Sequence, residues 1–335
     1  MRDTSRPGSE GERGRERDEY LGVTFDESGV ASEEVEKRRA VGEKKEREAQ
    51  GELARLEKEI KSEVETVASE SSTKSVSEFQ ARGIPEHLRE TRSKGTAAAE
   101  ALGAFIGIEG MKEARESLPK EGPFLVVANH SGGETGPLLA LLKDYDAHIA
   151  AAEELNFNRS KFRSWLLKKL RMIPIKESLS DLTDDGKREL LGRVPARARG
   201  GYEKVVERER DGDVVMNNDF LRSSVALLSR GDVVVTFPEG LFLYDGKRSL
   251  RKAYGGVELI AKRYKRLTGK DLPIVPVAIV PGGAEAGGKR RVAVGEPVTL
   301  VGEKVGGIDS VMKKLAELMP ESLRGYYGAD RKSET

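Results

Sequence analysis

The chain has 335 residues, 37% apolar and 34% charged, enough for one large domain or two modest ones. Its 58 basic and 57 acidic side chains leave a net charge of +1, so the basic excess of a nucleic-acid-binding domain is missing and no nucleic-acid partner is expected. With no cysteine and three histidines, His87, His130 and His148, disulfides and thiolate zinc sites are excluded and no metal site is expected.

The first residues, MRDTSRPGSEGERGRERDEY, hold no apolar core and do not read as a secretory signal. Residues 1–31 read as a disordered charged tail. Residues 32–97 read as a charged helical segment and linker. Leu53, Leu56, Ile60, Val64 and Val67 recur at spacings of three and four, a helical stripe that either packs on the body or pairs with a second copy. Arg39 and Gly42 break its register upstream, which argues against a long coiled coil. The polar stretch SESSTKSVSEFQARGIPEHLRETRSKG then reads as a linker with short helical pieces. The apolar run TAAAEALGAFIGIEG (96–110) is shorter than the roughly 18–20 residues a spanning helix needs, and it carries Glu100. Membrane contact is therefore expected only from the surface.

From residue 98 to 325 strands alternate with helices, with a short tail at 326–335. FLVVA (124–128), HIAAA (148–152), RMIPI (171–175), DVVMN (213–217), DVVVTF (232–237), PIVPVAIV (273–280) and RVAVG (291–295) read as strands. Helices are expected at about 135–143, 159–171, 186–209, 220–229, 251–267 and 309–318. This alternation predicts an α/β domain with a mixed, largely parallel sheet flanked by helices. Within it, NRSKFRSWLLKKLRMIPI (158–175) places Phe162, Trp165, Leu166, Leu170 and Ile173 at helical spacing. Lys168 and Lys169 are among the basic residues that flank them, and Trp165 is the only tryptophan. Such a basic amphipathic helix either lies in a bilayer interface or turns its stripe to the sheet.

The stretch FLVVANHSGGETGP (124–137) holds the candidate chemistry. Ligands of α/β sheets collect at the carboxyl ends of strands, where Asn129 and His130 fall. A neutral imidazole accepts a hydroxyl proton near pH 7, and a carboxylate on its other nitrogen fixes the tautomer. Glu134 follows four residues on, and a helix starting in SGGETG would set the two on one face. The alternatives are a structural histidine and a Glu134 that caps the next helix.

Further segments follow in order: FPEG (237–240) after a strand, Arg248 in a basic turn, Arg251-Lys252, VPVAI (275–279) and GEP (295–297). Together with NH at 129–130 and the lead-in IEGMKEARESLPKEGPFLVVANH (108–130), this series resembles the glycerolipid acyltransferase family over about residues 106–300. The resemblance implies transfer of a fatty acyl group to a hydroxyl of a glycerol-phosphate or lysophospholipid acceptor. The donor thioester would be acyl-CoA or acyl carrier protein, with no other cofactor. It assigns His130 as general base, and Asn129, Glu239, Gly240, Arg248, Arg251 and Lys252 to substrate binding. Glu239 reads equally as a brace of the site. The family's acid, five residues after its histidine, falls on Thr135, so Glu134 is the substitute expected here. The family's Thr-Arg after Phe-Pro-Glu-Gly, its arginine implicated in holding phosphate, is Leu241-Phe242 in this chain. A lipid substrate implies a cytoplasmic protein peripheral on the membrane surface, with Phe162, Trp165, Leu166, Lys168 and Lys169 as contacts.

Overall fold

The computed structural model describes residues 72–89, 108–179, 182–210, 217–240, 242, 248–282, 290–300 and 307–328. The charged tail at 1–31, the stripe at 53–67, residues 96–107, all of the 213–217 strand but Asn217, and the turn at 243–247 lie outside those residues.

Continuous apolar runs become the central strands. Phe124–Ala128 (β2) and Ile274–Val280 (β6) are buried at every position, as strands covered on both faces must be. They pair in parallel, and β2 pairs in parallel on its other side with Val233–Thr236 (β5). Ala147–Ala152 (β3) and Ile173–Ile175 (β4) continue the parallel sheet beyond β5. Beyond β6, Arg290–Val294 (β7) runs antiparallel, and the two-residue Ile108–Glu109 (β1) lies parallel to β7. Among the described residues the sheet has seven strands in the order β1-β7-β6-β2-β5-β3-β4, so the domain is α/β with a mixed, largely parallel sheet.

The pleat sends alternate side chains to two cores. Leu125, Val127, Ile274 and Ala278 face a layer built by Asn218–Arg230, Gly256–Thr268 and Gly307–Glu317. Phe124, Val126, Val275 and Val277 face Met111–Glu116 and Thr135–Leu141. Each fully buried Val or Leu contributes roughly 1.5–3 kcal/mol. Ser72–Gly83 and Glu86–Arg89 are helices that join the first layer. Ile84 and Leu88 sit in its core, and Gln80 Nε2 donates to Ser229 Oγ at 3.2 Å. Residues 72–89 are thus part of the folded body rather than a linker. At the other end the body reaches past 325: Tyr326 N–H bonds the Leu250 carbonyl at 2.9 Å, and Tyr327 Oη bonds Asp309 at 2.8 Å.

The expected strands at 124–128, 148–152, 171–175, 232–237, 273–280 and 291–295 agree with β2 to β7 within two residues, while β1 was not expected. β4 starts late because Arg171 is left-handed, with φ 58°. The single helix expected at 186–209 is two, Asp184–Arg193 and Ala196–Arg210. Pro195 forces Val194 out of the helical region, to ψ 128°. The helix expected from 251 begins at Gly256, because 250–254 is held in other hydrogen bonds: Leu250 N–H to Leu323 and Tyr254 N–H to Pro238.

The parallel strands end on one edge. At their opposite, amino edge lies a buried polar network. His148 is fully buried, its Nε2 2.8 Å from Asp232 Oδ2 and its Nδ1 3.2 Å from the Arg171 carbonyl. Arg230 Nε donates to the same Asp232 oxygen at 3.1 Å. Burial works against charge on Asp232. The bonds from His148 and Arg230 outweigh it and hold the carboxyl below the usual aspartate range. A carboxyl lowered by folding stabilises above its unfolded pKa and loses that contribution as pH falls through the folded one. Asp232→Ala strands His148 and Arg230, and is expected to cost about 3–5 kcal/mol in urea unfolding at pH 7. The gap to the parent protein should narrow in acid, as the parent's own carboxylate protonates.

Candidate active site

The edge where β2, β5 and β6 end gathers the sequence-predicted residues. Asn129 follows β2 and is buried. Its Nδ2 donates to the Ile279 carbonyl at 3.0 Å, and its Oδ1 accepts from the Ile279 N–H at 2.7 Å. A side-chain amide pairing with a peptide in this way continues the β2–β6 ladder one residue further. Both polar ends of Asn129 thus make bonds inside the protein.

His130 comes next, its side chain 23% exposed. Its Nδ1 is in ion-pair contact with Oε1 of Glu134, whose side chain is only 5% exposed. Nε2 has no protein partner among the described residues. Two aromatic rings flank the imidazole. Phe237 stacks at 4.9 Å between centroids and Phe242 tilts against it at 5.5 Å. The Phe242 carbonyl accepts from the hydroxyl of the buried Tyr202.

Glu134 reaches His130 by a different route from the expected helix face. The helix starts only at Thr135, with Glu134 as its N-cap residue but with no side-chain capping bond to it. The approach comes from the loop, where Gly132 and Gly133 are both left-handed (φ 80° and 79°), a conformation costly for any residue with a Cβ. Burial disfavours the Glu134 carboxylate. Bonding to His130 and the N–H groups of Glu134 and Gly132 reverse this, holding its pKa below the usual range.

Glu239, in the turn after β5, is buried and has both carboxylate oxygens occupied. Oε1 accepts from the His130 N–H at 2.9 Å, and Oε2 from the Arg251 N–H at 2.8 Å. Of the two readings of this residue, brace and substrate ligand, its bonding is that of a brace. Burial nonetheless pushes its pKa up. The guanidinium of Arg251 turns back to the Glu239 carbonyl, so part of its donor capacity is spent within the protein. Arg248 and Lys252, on the same segment, are exposed. Gly240 lies under Tyr254; a Cβ there would come within 2.7 Å of the ring. Phe162, Trp165, Leu166, Lys168 and Lys169 are exposed on the crossover helix Lys161–Lys169, apart from this cluster in sequence.

Sequence reasoning did not foresee the contacts of Phe237, Phe242 and Tyr202, nor that Arg290 bonds the Gly133 carbonyl at 2.8 Å. The Leu241-Phe242 departure was the one available signal: it announced an apolar group where a cation was expected, without showing that the ring meets His130.

Replacing Glu239 by glutamine removes an acceptor from one of two buried main-chain N–H groups. Glu239→Gln is expected to lower unfolding free energy by about 1–3 kcal/mol, and Glu239→Ala by more, read from urea midpoints.

The Acyltransferase family model matches residues 111–280, just over half of the chain and the span that carries this edge. No functionally curated protein gives a significant match. Among solved structures, the crystal structure of the 1-acyl-sn-glycerophosphate acyltransferase PlsC from Thermotoga maritima aligns at 18% identity. The alignment covers 79% of this chain and 92% of that one, with a TM-score of 0.38. The match over residues 111–280, which spans His130, Glu134 and Glu239, shows that the chain belongs to the acyltransferase family.

Proposed function

We propose that this protein moves a fatty acyl group from acyl-CoA or acyl carrier protein to a hydroxyl of a glycerol-phosphate or lysophospholipid acceptor, with His130 as general base. The observation that carries this reading is the disposition of the imidazole: Nδ1 faces a buried carboxylate, while Nε2, on a partly exposed ring, has no partner among the described residues. With Nδ1–H on Glu134, Nε2 holds the lone pair that accepts the acceptor's hydroxyl proton. The acceptor oxygen attacks the thioester carbonyl to give a tetrahedral oxyanion. Its collapse forms the ester, breaks the C–S bond and returns the proton from His130 to the departing thiolate. No acyl-enzyme is required, consistent with a chain that has no cysteine and no Gly-x-Ser-x-Gly segment.

Phe237 and Phe242 make the surroundings of the base apolar on two sides. With Arg251 partly spent on Glu239, the exposed Arg248 and Lys252 are the groups on that segment left to meet an anionic headgroup, by charge-assisted bonds. Purified protein is expected to release free CoA from a long-chain acyl-CoA only when lysophosphatidate or glycerol 3-phosphate is present. His130→Ala is expected to lower that rate by about 100–10,000-fold. Acceptor-independent release would identify a thioester hydrolase, and acyl-CoA binding without release a lipid-binding relative. Undiminished turnover in His130→Ala would remove it as the base.

The product of either acceptor is a lipid, and one surface suits a lipid interface. On Lys161–Lys169, Phe162, Trp165 and Leu166 are 72%, 54% and 40% exposed, and the two rings stack at 5.9 Å. Leu167 anchors the helix inward; of the stripe, Phe162, Trp165 and Leu166 face outward, while Leu170 packs beside Leu167 and Ile173 is buried in β4. The helix follows the carboxyl end of β3, so its first turn, with Phe162, starts from the edge that holds His130. No described helix is long and apolar enough to cross a membrane. Peripheral binding through this helix fits that set, with Lys168 and Lys169 facing anionic headgroups. Co-sedimentation with phosphatidylglycerol-containing vesicles is expected to drop at least about tenfold in Trp165→Glu/Lys168→Glu; equal co-sedimentation would exclude this helix as the contact.

A further inference from the structure

The side chain of Arg290 is used by none of the steps above, yet it touches the loop between the two reacting partners. Arg290 opens β7. Because β7 runs antiparallel to β6, with Val280 opposite Arg291, Arg290 lies at the edge where β6 and β2 end. Its Nη1 donates to the Gly133 carbonyl at 2.8 Å, and a Cβ on Gly133 would stand only 3.3 Å from its Nη2. On the other side of the loop, a Cβ on Gly132 would stand 3.3 Å from the Phe242 ring. The two glycines are thus held between a guanidinium and an aromatic ring. The Gly133 carbonyl and the Glu134 N–H belong to one planar trans peptide, so aiming the carbonyl at Arg290 turns the N–H the opposite way. That N–H is among the groups favouring the Glu134 carboxylate. Two consecutive glycines otherwise have the widest backbone freedom of any pair, and a loop sampling that freedom would seldom present Glu134 to His130.

We propose that Arg290 is a positioning residue: by holding the Gly133 carbonyl it fixes the glycine loop in the one shape that brings Glu134 to the imidazole of His130. The role rests on the acyl-transfer reading, because proton transfer at His130 is what the loop serves. Arg290 acts through Glu134 and touches no substrate.

The test is a double-mutant cycle on the full chain, Arg290→Ala with Glu134→Gln, read in kinetics and in proton NMR. Arg290→Ala is expected to lower kcat by roughly 10–100-fold, with KM for donor and acceptor within about twofold. The double variant should be no slower than Glu134→Gln alone, since the two changes break one connection. Arg290→Lys retains a donor and should recover part of the loss. The His130 Nδ1–H resonance, assigned by its disappearance in His130→Ala, should be present in the parent and lost in both single variants. The other two histidines report that the fold persists. Additive losses, a raised KM at unchanged kcat, or an Nδ1–H signal that survives Arg290→Ala would each overturn the proposal; the raised KM would instead make Arg290 a ligand for a substrate anion. A parent protein with no His130-dependent transfer sinks the acyl-transfer reading, and the NMR arm then still decides whether Arg290 sets the loop.

Discussion

The Glu239 carboxylate lies at the junction of three chain segments. It sits in the turn after β5, takes the main-chain N–H of His130 at the end of β2, and takes the N–H of Arg251 from the segment leading into the helix at 256. Main-chain donors at strand ends have lost their ladder partners and must be satisfied if they are buried. A single carboxylate that satisfies two of them locks the ends of the strands in register with the loop that follows. Asn129 does the same on the other flank with an amide, tying the end of β2 to β6 through the main-chain N–H and C=O of one residue, Ile279. His130 is therefore held through the backbone on both flanks, while its ring stays partly exposed. Burial raises the pKa of Glu239, which is the cost of placing a carboxylate where both its ligands are neutral N–H groups.

This division of labour explains which parts of the site were legible in the sequence. The apolar runs of β2, β5 and β6 announced buried parallel strands, and a histidine directly after such a run falls at the ligand edge of any α/β sheet. The Glu134 contact was anticipated on spacing, but the route was not. A helical face was expected, and the chain uses two left-handed glycines instead. The family resemblance places Asn129 among the substrate-binding groups, and a polar residue at a strand end has the same sequence pattern whether it meets a substrate or the backbone of the neighbouring strand. Only the register of β2 against β6 tells the two apart.

The misread segments have equally physical causes. Residues 72–89 looked like a linker because Ile84 and Leu88 are sparse among polar neighbours. Their burial comes from packing against Asn218–Arg230, which no local window contains. The break at Pro195 was available in the sequence and was outweighed by the apolar periodicity on either side of it. Arg290 gave no signal: it lies 157 residues from Gly133, and their meeting depends on the antiparallel turn of β7 in an otherwise parallel neighbourhood.

The chain contains its own control for reading a histidine–carboxylate pair as chemistry. His148 and Asp232 lie 2.8 Å apart at the amino edge, and His130 and Glu134 are in contact at the carboxyl edge. In both pairs the carboxyl is buried, and its pKa is lowered by the histidine beside it. Residue types, contact and charge do not separate them. Access and unused bonding capacity do. His148 is fully buried, with both ring nitrogens facing protein groups and its carboxylate shared with an arginine, so it has no lone pair to offer an incoming molecule. His130 is partly exposed, has Nδ1 in contact with Glu134 and two aromatic rings beside it, and its other nitrogen has no partner among the described residues. A buried pair with every position filled stabilises the fold. A pair with one nitrogen left open at a strand's carboxyl end has the arrangement proton transfer needs, and at that edge the protein holds the backbone rigidly while leaving the ring accessible.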